Sequence, residues 1–520
     1  MINVPTNNFN AIIVTDTSDY PNWQRGYGAH RLATHLRENG YSVLVIDFSS
    51  ALTINIWEEI LKVSIGPDTR FVGFSTSWWP YRQKTGNKLP IPGSLRKLAD
   101  VKSVDNNTLT DPDLLHDKTI TDLAFIGQAK IYIDIVKKYN SKTKILLGGV
   151  KIDWYTDFPA DHVMSGYSEV QILDFLQQPN RIWNKLINHD TSAESKNWGW
   201  VESFTSYTKY DQIRSNELMT LEVARGCRFA CLFCAWPLIG KKDIAKYIKG
   251  SDALYKELLD NYTKWGITDY WIADDTLNDS TEKLKYMAEV VKLLPFKPNF
   301  RCYLRIDLIV THPEQAQLLL DIGIVGVFVG IETFHPKSAK VIGKGMDSAK
   351  RKQALRFVQN VWQDRIRIEA GYIVGLPHES YADIRDSHAW FMQPDCPVHF
   401  VFYFPLIITP PALYPNKPTS ELERSYEKYG YTISHENMHV GKWTKNDDSD
   451  ITSFGQSYEI MQELNAEIAT KNTMFSKPSF QWSRDANKDP FIIKDPLVEY
   501  FPKLLTMLEA DAKIIKVNTI

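Results

Sequence analysis

The sequence runs to 520 residues, too many for one ordinary core, and its 43% hydrophobic and 23% charged content is that of a globular protein of two or three domains. A net charge of −2 excludes a broadly basic surface for gripping nucleic acid, which leaves at most a local basic channel. No apolar run approaches the roughly 20 residues that span a bilayer. Met1–Asn10 has neither a basic nor an apolar signal region, so no membrane partner is expected and a cytoplasmic setting is.

The first 180 residues alternate between strands and helices. Ala11–Thr15 is a short apolar run, and a helical stretch from Tyr27 to Asn39 ends at Gly40, as a helix C-terminus should. Ser42–Asp47, a helix near Ile54–Val63, and Phe71–Ser75 come next. The stretch 78–121, rich in Pro, Gly, Asn, Asp and Lys, reads as an insertion. It opens on Trp78-Trp79, whose place in a cleft or in packing is open. Helix Asp122–Tyr139, strand Lys144–Leu147 before Gly148-Gly149, strand His162–Met164, Gly166 and helix Glu169–Leu176 complete the series. Short apolar strands separated by helices predict a parallel, doubly wound sheet covered on both faces. Such sheets bind ligands beyond the carboxyl ends of their strands.

Residues 181–216 read as a linker. A second α/β series then begins, with strands expected at Leu218–Ala224, Asp269–Ala273, Asn299–Arg305, Gly326–Ile331, Ile368–Val374 and His399–Phe404. Helices are expected at Thr281–Leu294, Pro313–Ile322 and Ala349–Gln363. Six βα units over 217–405 predict a partial (β/α)6 barrel with its site at the carboxyl ends of the strands. Residues 406–520 read as a mainly helical cap on that barrel, with Tyr403 and Tyr414 as contacts to a substrate or to the core.

Five cysteines in such a chain are no disulfide framework. Cys302 and Cys396 stand alone and read as structural. Cys227, Cys231 and Cys234 follow a predicted strand in the spacing C-x3-C-x2-C. Three thiolates on one loop can hold three irons of a cubane and leave the fourth open to a chelating small molecule. A structural zinc site normally takes four protein ligands, so it needs a distant His or Cys302 as the fourth. Three unliganded buried thiols fit poorly beside Arg225, Gly226 and Arg228.

This segment resembles the signature of the radical S-adenosylmethionine (SAM) superfamily, including the aromatic Phe233 before the last Cys. The resemblance continues through Asp274-Asp275-Thr276, Arg305 with Asp307, Gly330-Ile331-Glu332-Thr333, and Gly371-Tyr372-Ile373-Val374-Gly375-Leu376-Pro377-His378-Glu379, in order over residues 215–405. It implies a [4Fe–4S] cluster on Cys227, Cys231 and Cys234, and SAM contacts from Phe233, Asp274, Arg305, Glu332, Gly371 and Gly375. A reductant such as flavodoxin or ferredoxin is implied with it.

Residues 1–180 are similar to the cobalamin-binding domain of one subgroup of that superfamily, through Gly26-Tyr27-Gly28, Asn39-Gly40-Tyr41 with Asp47, Ser75, Gly148-Gly149 and Gly166-Tyr167-Ser168-Glu169. That likeness implies cobalamin held by Gly26, Gly28, Ser75, Gly148, Gly149 and Gly166. The chain departs from the D-x-H-x-x-G pattern after its first strand, where Thr15–Tyr20 has no His and the first is His30. Cobalamin would then bind without a protein imidazole. Together the two domains imply a methyltransferase acting on an unactivated carbon; oxidation, cyclisation or rearrangement by the same architecture, with or without cobalamin, is one alternative, and a binding module stabilised by zinc on the cysteine loop is another. The substrate, a small molecule or biosynthetic intermediate, is not written in the sequence, and no residue is assigned a catalytic role.

Overall fold

The computed structural model describes residues 7–15, 25–49, 52–75, 130–149, 158–187, 200–235, 247–409, 419–434, 442–470 and 497–518. The expected insertion 78–121 with Trp78-Trp79, the stretch 16–20, part of the linker and Tyr414 lie outside them. The chain divides into two compact units, Met1–Trp198 with Ser203–Arg214 and Asp485–Ile520, and Gly199–Glu202 with Ser215–Arg484.

The first unit is built on strands β1 (Ala11–Val14), β2 (Val43–Ile46), β3 (Phe71–Ser75), β4 (Lys144–Gly148), β5 (His162–Met164) and β6 (Leu186–Ile187). They form one sheet in the order β2-β1-β3-β4-β5-β6, with every pair parallel. Its helices are α1 (Tyr27–Glu38), α2 (Ile54–Ser64), α3 (residues 130–139) and α4 (Glu169–Gln177). Both β1 and β2 are buried along their whole length, because alternate side chains enter opposite cores. Ile12, Val14, Leu44 and Ile46 pack with Trp57 and Ile60 of α2 and Tyr132 and Val136 of α3. Ala11, Ile13, Val43 and Val45 pack with Ala33 and Leu36 of α1 and Ile172 and Phe175 of α4.

The second unit carries β7 (Leu218–Leu221), β8 (Asp269–Ile272), β9 (Asn299–Leu304), β10 (Ile324–Glu332), β11 (Arg367–Val374) and β12 (Phe400–Pro405). These pair in sequence order, all parallel, each step passing through helices. The helices are α5 (Ser251–Trp265), α6 (Thr281–Leu293), α7 (Ile306–Thr311), α8 (Glu314–Ile322), α9 (Pro336–Val341), α10 (Ser348–Trp362) and α11 (Tyr381–Phe391). Sequential parallel order is the wall of an open (β/α)6 barrel. One face of this wall carries the half-buried rings of Tyr303 and Phe328 against the buried Leu218 and Trp271.

The C-terminal region is not all helix, nor does all of it cap the second sheet. Short helix α12 (Glu421–Arg424) leads into an antiparallel hairpin, β13 (Tyr431–Ser434) with β14 (Lys442–Lys445), and then into α13 (Phe454–Thr470). The last helix, α14 (Leu497–Asn518), belongs to the first unit. There Tyr500, Phe501, Leu504 and Leu508 complete the core shared with α2 and α3, each at roughly 1.5–3 kcal/mol of burial. Those four positions follow helical spacing, so one face of α14 is apolar and needs a sheet to cover.

Candidate functional site

The cysteine loop leaves β7 and is pinned before it reaches its first thiol. The Asp274 carboxylate, just past β8, accepts from the backbone N–H of Val223 (2.8 Å) and Ala224 (2.9 Å) through one oxygen. Arg225 N–H donates to Tyr247 O at 2.9 Å, and the Arg225 guanidinium pairs with Glu222 at 2.9 Å. Gly226 then turns the chain at φ +85°, a conformation that L side chains rarely adopt. Beyond the turn, Leu232 N–H donates to Ile342 O and Leu422 N–H to Leu232 O, which ties the loop to α9 and α12. A Cys234 N–H to Cys231 O bond of 3.0 Å closes a tight turn between the last two thiols. All three cysteines are free of disulfides, with Cys227 buried and Cys231 and Cys234 half-buried. Phe233 is half-buried between them in sequence.

Asp274 was expected to touch a cofactor; the structure gives it another task. It is fully buried, and both of its oxygens are used inside the fold. Lys283 of α6 lies 3.5 Å from Asp274 and 2.7 Å from Asp279, and also donates to Thr276 O. Burial pushes the Asp274 carboxyl up to about 6, against the pull of Lys283 and the two backbone hydrogen bonds. Burial, with the Asp274 and Glu222 charges, pushes Asp275 up to about 7. Cys227 Sγ donates to Thr276 Oγ1 at 3.5 Å, and burial pushes this thiol up. A buried thiol beside carboxylates keeps its proton unless a metal cation replaces it. Three thiols on one braced loop, Cys227 buried and Cys231 and Cys234 half-buried, therefore suit an iron–sulfur cluster with one iron lacking a protein ligand.

Arg305, expected at the cofactor, sits at the end of β9 with its guanidinium against the loop. Nη1 donates to Cys231 Sγ at 3.2 Å, while Nε and Nη2 fork onto Asp307 at 3.1 and 2.6 Å. The guanidinium stacks over Phe229 at 4.1 Å. Burial alone would raise the Asp307 carboxyl, and the Arg305 fork overrides it and holds it below the usual range. Asn278 grips the Arg305 backbone from both sides, accepting from its N–H and donating to its carbonyl at 2.9 Å each. Gln315 in turn holds Asn278.

Glu332 ends β10 at a bulge, with φ +64°, and pairs with Lys344 at 3.0 Å. Lys344 also donates to Gly330 O at 2.6 Å. Backbone strain of this kind in a non-glycine residue persists only where its surroundings over-determine it. Gly371 and Gly375, expected among the SAM contacts, each have an aromatic ring where a side chain would lie. A Cβ on Gly371 would lie 2.9 Å from the Phe328 ring, and one on Gly375 2.7 Å from the Trp443 ring. Trp443 and Tyr431 of the hairpin cover the Gly375 turn, and Tyr431 donates to Gly375 O at 2.7 Å. Glu379, at the end of the same motif, is fully buried under Thr333 and Tyr372.

Phe229, Asn278, Lys283 and Lys344 were missed from sequence. The first three are ordinary loop and helix residues by type, and only the tertiary contact gives them a role. Lys344, close after the Glu332 motif, offered a faint signal as an opposite charge. Cys302 is buried, as expected of a structural thiol, and Cys396 is half-buried.

In the first unit, Ser75, Gly148-Gly149 and Gly166 do stand at the carboxyl ends of β3, β4 and β5. Gly149 and Gly166 turn with φ +127° and +73°. Gly28 lies in the first turn of α1 with open space where a Cβ would be. Gly26 differs from expectation: a Cβ there would lie 2.3 Å from Thr15 Oγ1, so the residue serves the packing of α1 on β1. Asp47 is likewise engaged by protein. It accepts from Gly26 N–H (3.2 Å), Arg25 (3.1 Å) and His30 Nε2 (2.7 Å). Burial opposes its ionisation, and the His30 and Arg25 charges with these hydrogen bonds prevail and hold it at about 2. His30 is fully buried, with Nδ1 3.7 Å from Asp211. The sheet order passes from β1 outward in both directions, so the topological switch point lies between β1 and β3, the position at which doubly wound sheets bind ligands.

The radical SAM superfamily model matches residues 221–391, from the end of β7 through α11. No curated protein matches the sequence. Among solved structures, the chain is similar to the radical SAM methyltransferase TsrM from Kitasatospora setae with cobalamin and a [4Fe–4S] cluster bound. The likeness has 13% identity and a TM-score of 0.58, over 98% of this chain and 100% of that one. It is also similar to the cobalamin-dependent SAM radical enzyme OxsB with aqua-cobalamin bound, at 15% identity and TM-score 0.57, over 99% of this chain and 75% of that one. At these identities the likeness shows the shared architecture of two α/β units. With the cysteine loop, the six-stranded wall and the matched segment in agreement, residues 221–391 are a radical SAM superfamily region.

Proposed function

We propose that the protein is a cobalamin-dependent radical SAM methyltransferase that alkylates an unactivated carbon of a small molecule. The observation that carries the reading is the braced loop with Cys227, Cys231 and Cys234, set at the carboxyl ends of a (β/α)6 wall. Cobalamin is supported by the first unit's parallel sheet and by the whole-chain likeness to two proteins with cobalamin bound. When bound, the cluster supplies the electron that cleaves SAM to a 5′-deoxyadenosyl radical, and cobalamin supplies a transferable methyl group.

The chain's own residues would hold and shield these groups. The three thiolates would ligate iron, with Asp274 and Lys283 fixing the loop from behind and Phe233 limiting water access. Glu332 and Lys344, paired at the end of β10, present a carboxylate and an ammonium suited to the amino and carboxylate groups of SAM. Ser75, Gly148, Gly149 and Gly166 would let the cobalamin tail lie along the strand ends of the first sheet. A low-potential protein such as a flavodoxin or ferredoxin would deliver the electron.

The test is anaerobic reconstitution of the full chain with iron and sulfide, with and without hydroxocobalamin. Electron paramagnetic resonance and methyl-labelled SAM provide the readouts. The reading expects a [4Fe–4S] signal, 5′-deoxyadenosine formation abolished by Cys231→Ala, and label appearing on cobalamin. Absence of a cubane would overturn the reading altogether. A cubane with 5′-deoxyadenosine but neither cobalamin uptake nor methyl label would leave a radical enzyme of another reaction type.

A further inference from the structure

Arg305 is a heavily constrained cation lying directly against the cysteine loop. Its backbone is clamped by Asn278, its Nε and Nη2 edge is filled by the Asp307 carboxylate, and its plane rests on Phe229. Its side chain is almost wholly buried, about 7% exposed, so little solvent screens it. Asp307 fills one two-pronged edge of the guanidinium, Nε with Nη2. Of the N–H groups left over, one on Nη1 points at Cys231 Sγ, 3.2 Å away.

We propose that Arg305 is a positioning and redox-tuning residue of the iron–sulfur cluster, acting through Cys231, with Asp307, Phe229 and Asn278 aiming it. The inference rests on the reading that Cys227, Cys231 and Cys234 hold a [4Fe–4S] cluster. The physical ground is electrostatic. Reduction adds one electron, supplied by the external donor, to a buried group made of sulfide and thiolate. A charged N–H donor on one thiolate draws electron density from the sulfur and favours the reduced form. Hydrogen bonds to sulfur and local charge are among the protein's levers on cluster potential. Asp307 acts in the opposite sense, because its negative charge offsets part of the Arg305 field while it holds the fork in place.

The arrangement therefore makes two predictions of opposite sign. Full-length protein and the variants Arg305→Gln, Arg305→Lys and Asp307→Asn are reconstituted anaerobically. Each is checked for its full complement of iron and sulfide, then poised in a redox titration followed by electron paramagnetic resonance. Arg305→Gln should lower the ratio of reduced to oxidised cluster at a fixed potential by about tenfold, which is about 59 mV for a one-electron couple. Arg305→Lys keeps the charge and should recover part of that loss. Asp307→Asn keeps one acceptor for the guanidinium and should shift the potential upward. A loaded Arg305→Gln protein with the wild-type potential overturns the proposal. Should Arg305→Gln fail to hold a cluster, Asp307→Asn decides, and a potential there that is unmoved or lower overturns it. Wild-type protein that takes up no cluster condemns the underlying reading instead.

Discussion

At Gly375 the chain turns with φ +100°, and the space a Cβ would need lies 2.7 Å from Cζ2 and 2.8 Å from Cη2 of Trp443. Trp443 cannot easily retreat, being fully buried and bonded through Nε1 to Leu406 O at 2.7 Å. Gly375→Ala should therefore destabilise the protein by roughly 2–5 kcal/mol, combining a strained left-handed conformation with overpacking. Denaturant unfolding measures the loss, while calorimetric titration with SAM should give unchanged affinity for the fraction that remains folded. Weakened SAM binding with undiminished stability would return Gly375 to the cofactor contact that its motif suggests. The residue scale shows where sequence stops. A glycine marks a place that tolerates no side chain, but whether an adenine, Thr15, Phe328 or Trp443 fills that place is decided by chain far away. Asp274 teaches the same lesson, since an acid after a strand looks the same whether it faces a ligand or two backbone amides.

Between single residues and the sheet lies the junction of β10, β11 and α11, which meets on one buried carboxyl. Glu379 Oε1 accepts from Thr333 Oγ1 and from Tyr372 OH, each at 2.5 Å, while Oε2 is buried without a hydrogen-bond partner among the described residues. Burial pushes the carboxyl up to about 7, against those two hydrogen bonds and the nearby Lys445 charge. A raised carboxyl binds more protons folded than unfolded. Its contribution is thus complete below the unfolded value near 4.5 and declines as pH rises through about 7. The full swing is on the order of 3 kcal/mol. Glu379→Gln keeps the Oε1 acceptor and cannot ionise, so it should flatten the fall in stability between about pH 4.5 and 7. Parallel urea titrations of wild type and variant check this, and equal slopes would remove Glu379 as the source. Strand periodicity made most of this region legible: the expected strands of the second unit end within three residues of the observed ones. The hairpin escaped because Tyr431–Ser434 and Lys442–Lys445 carry no apolar run like those of the equally short β1 and β2. Strand β6, only Leu186–Ile187, is too short to stand out from a linker.

The first unit is completed by segments far along the chain, which local patterns do not announce. After the second unit, α14 returns to the first, where Leu504 and Leu508 are fully buried beside Trp57, Ile60 and Val136. The segment Ser203–Arg214 is bound there as well. Thr34 Oγ1 donates to Ser206 O at 3.1 Å, Lys209 and Tyr210 reach Asp511 at 2.7 and 2.5 Å, and Gln212 donates to Tyr500 O at 2.9 Å. An apolar helical stripe in the sequence indicates that a helix needs a partner, yet it does not name which sheet. Proximity in the chain pointed to the barrel, and the packing points to the first sheet. Leu504→Ala removes methyl groups from a fully buried position and should cost roughly 2–5 kcal/mol. Because that core lies in the first unit, cobalamin uptake and the proteolytic resistance of residues 7–75 should suffer, while the second unit still loads iron and sulfide. A variant that instead keeps its first-unit stability and loses the cluster would show that α14 serves the barrel after all.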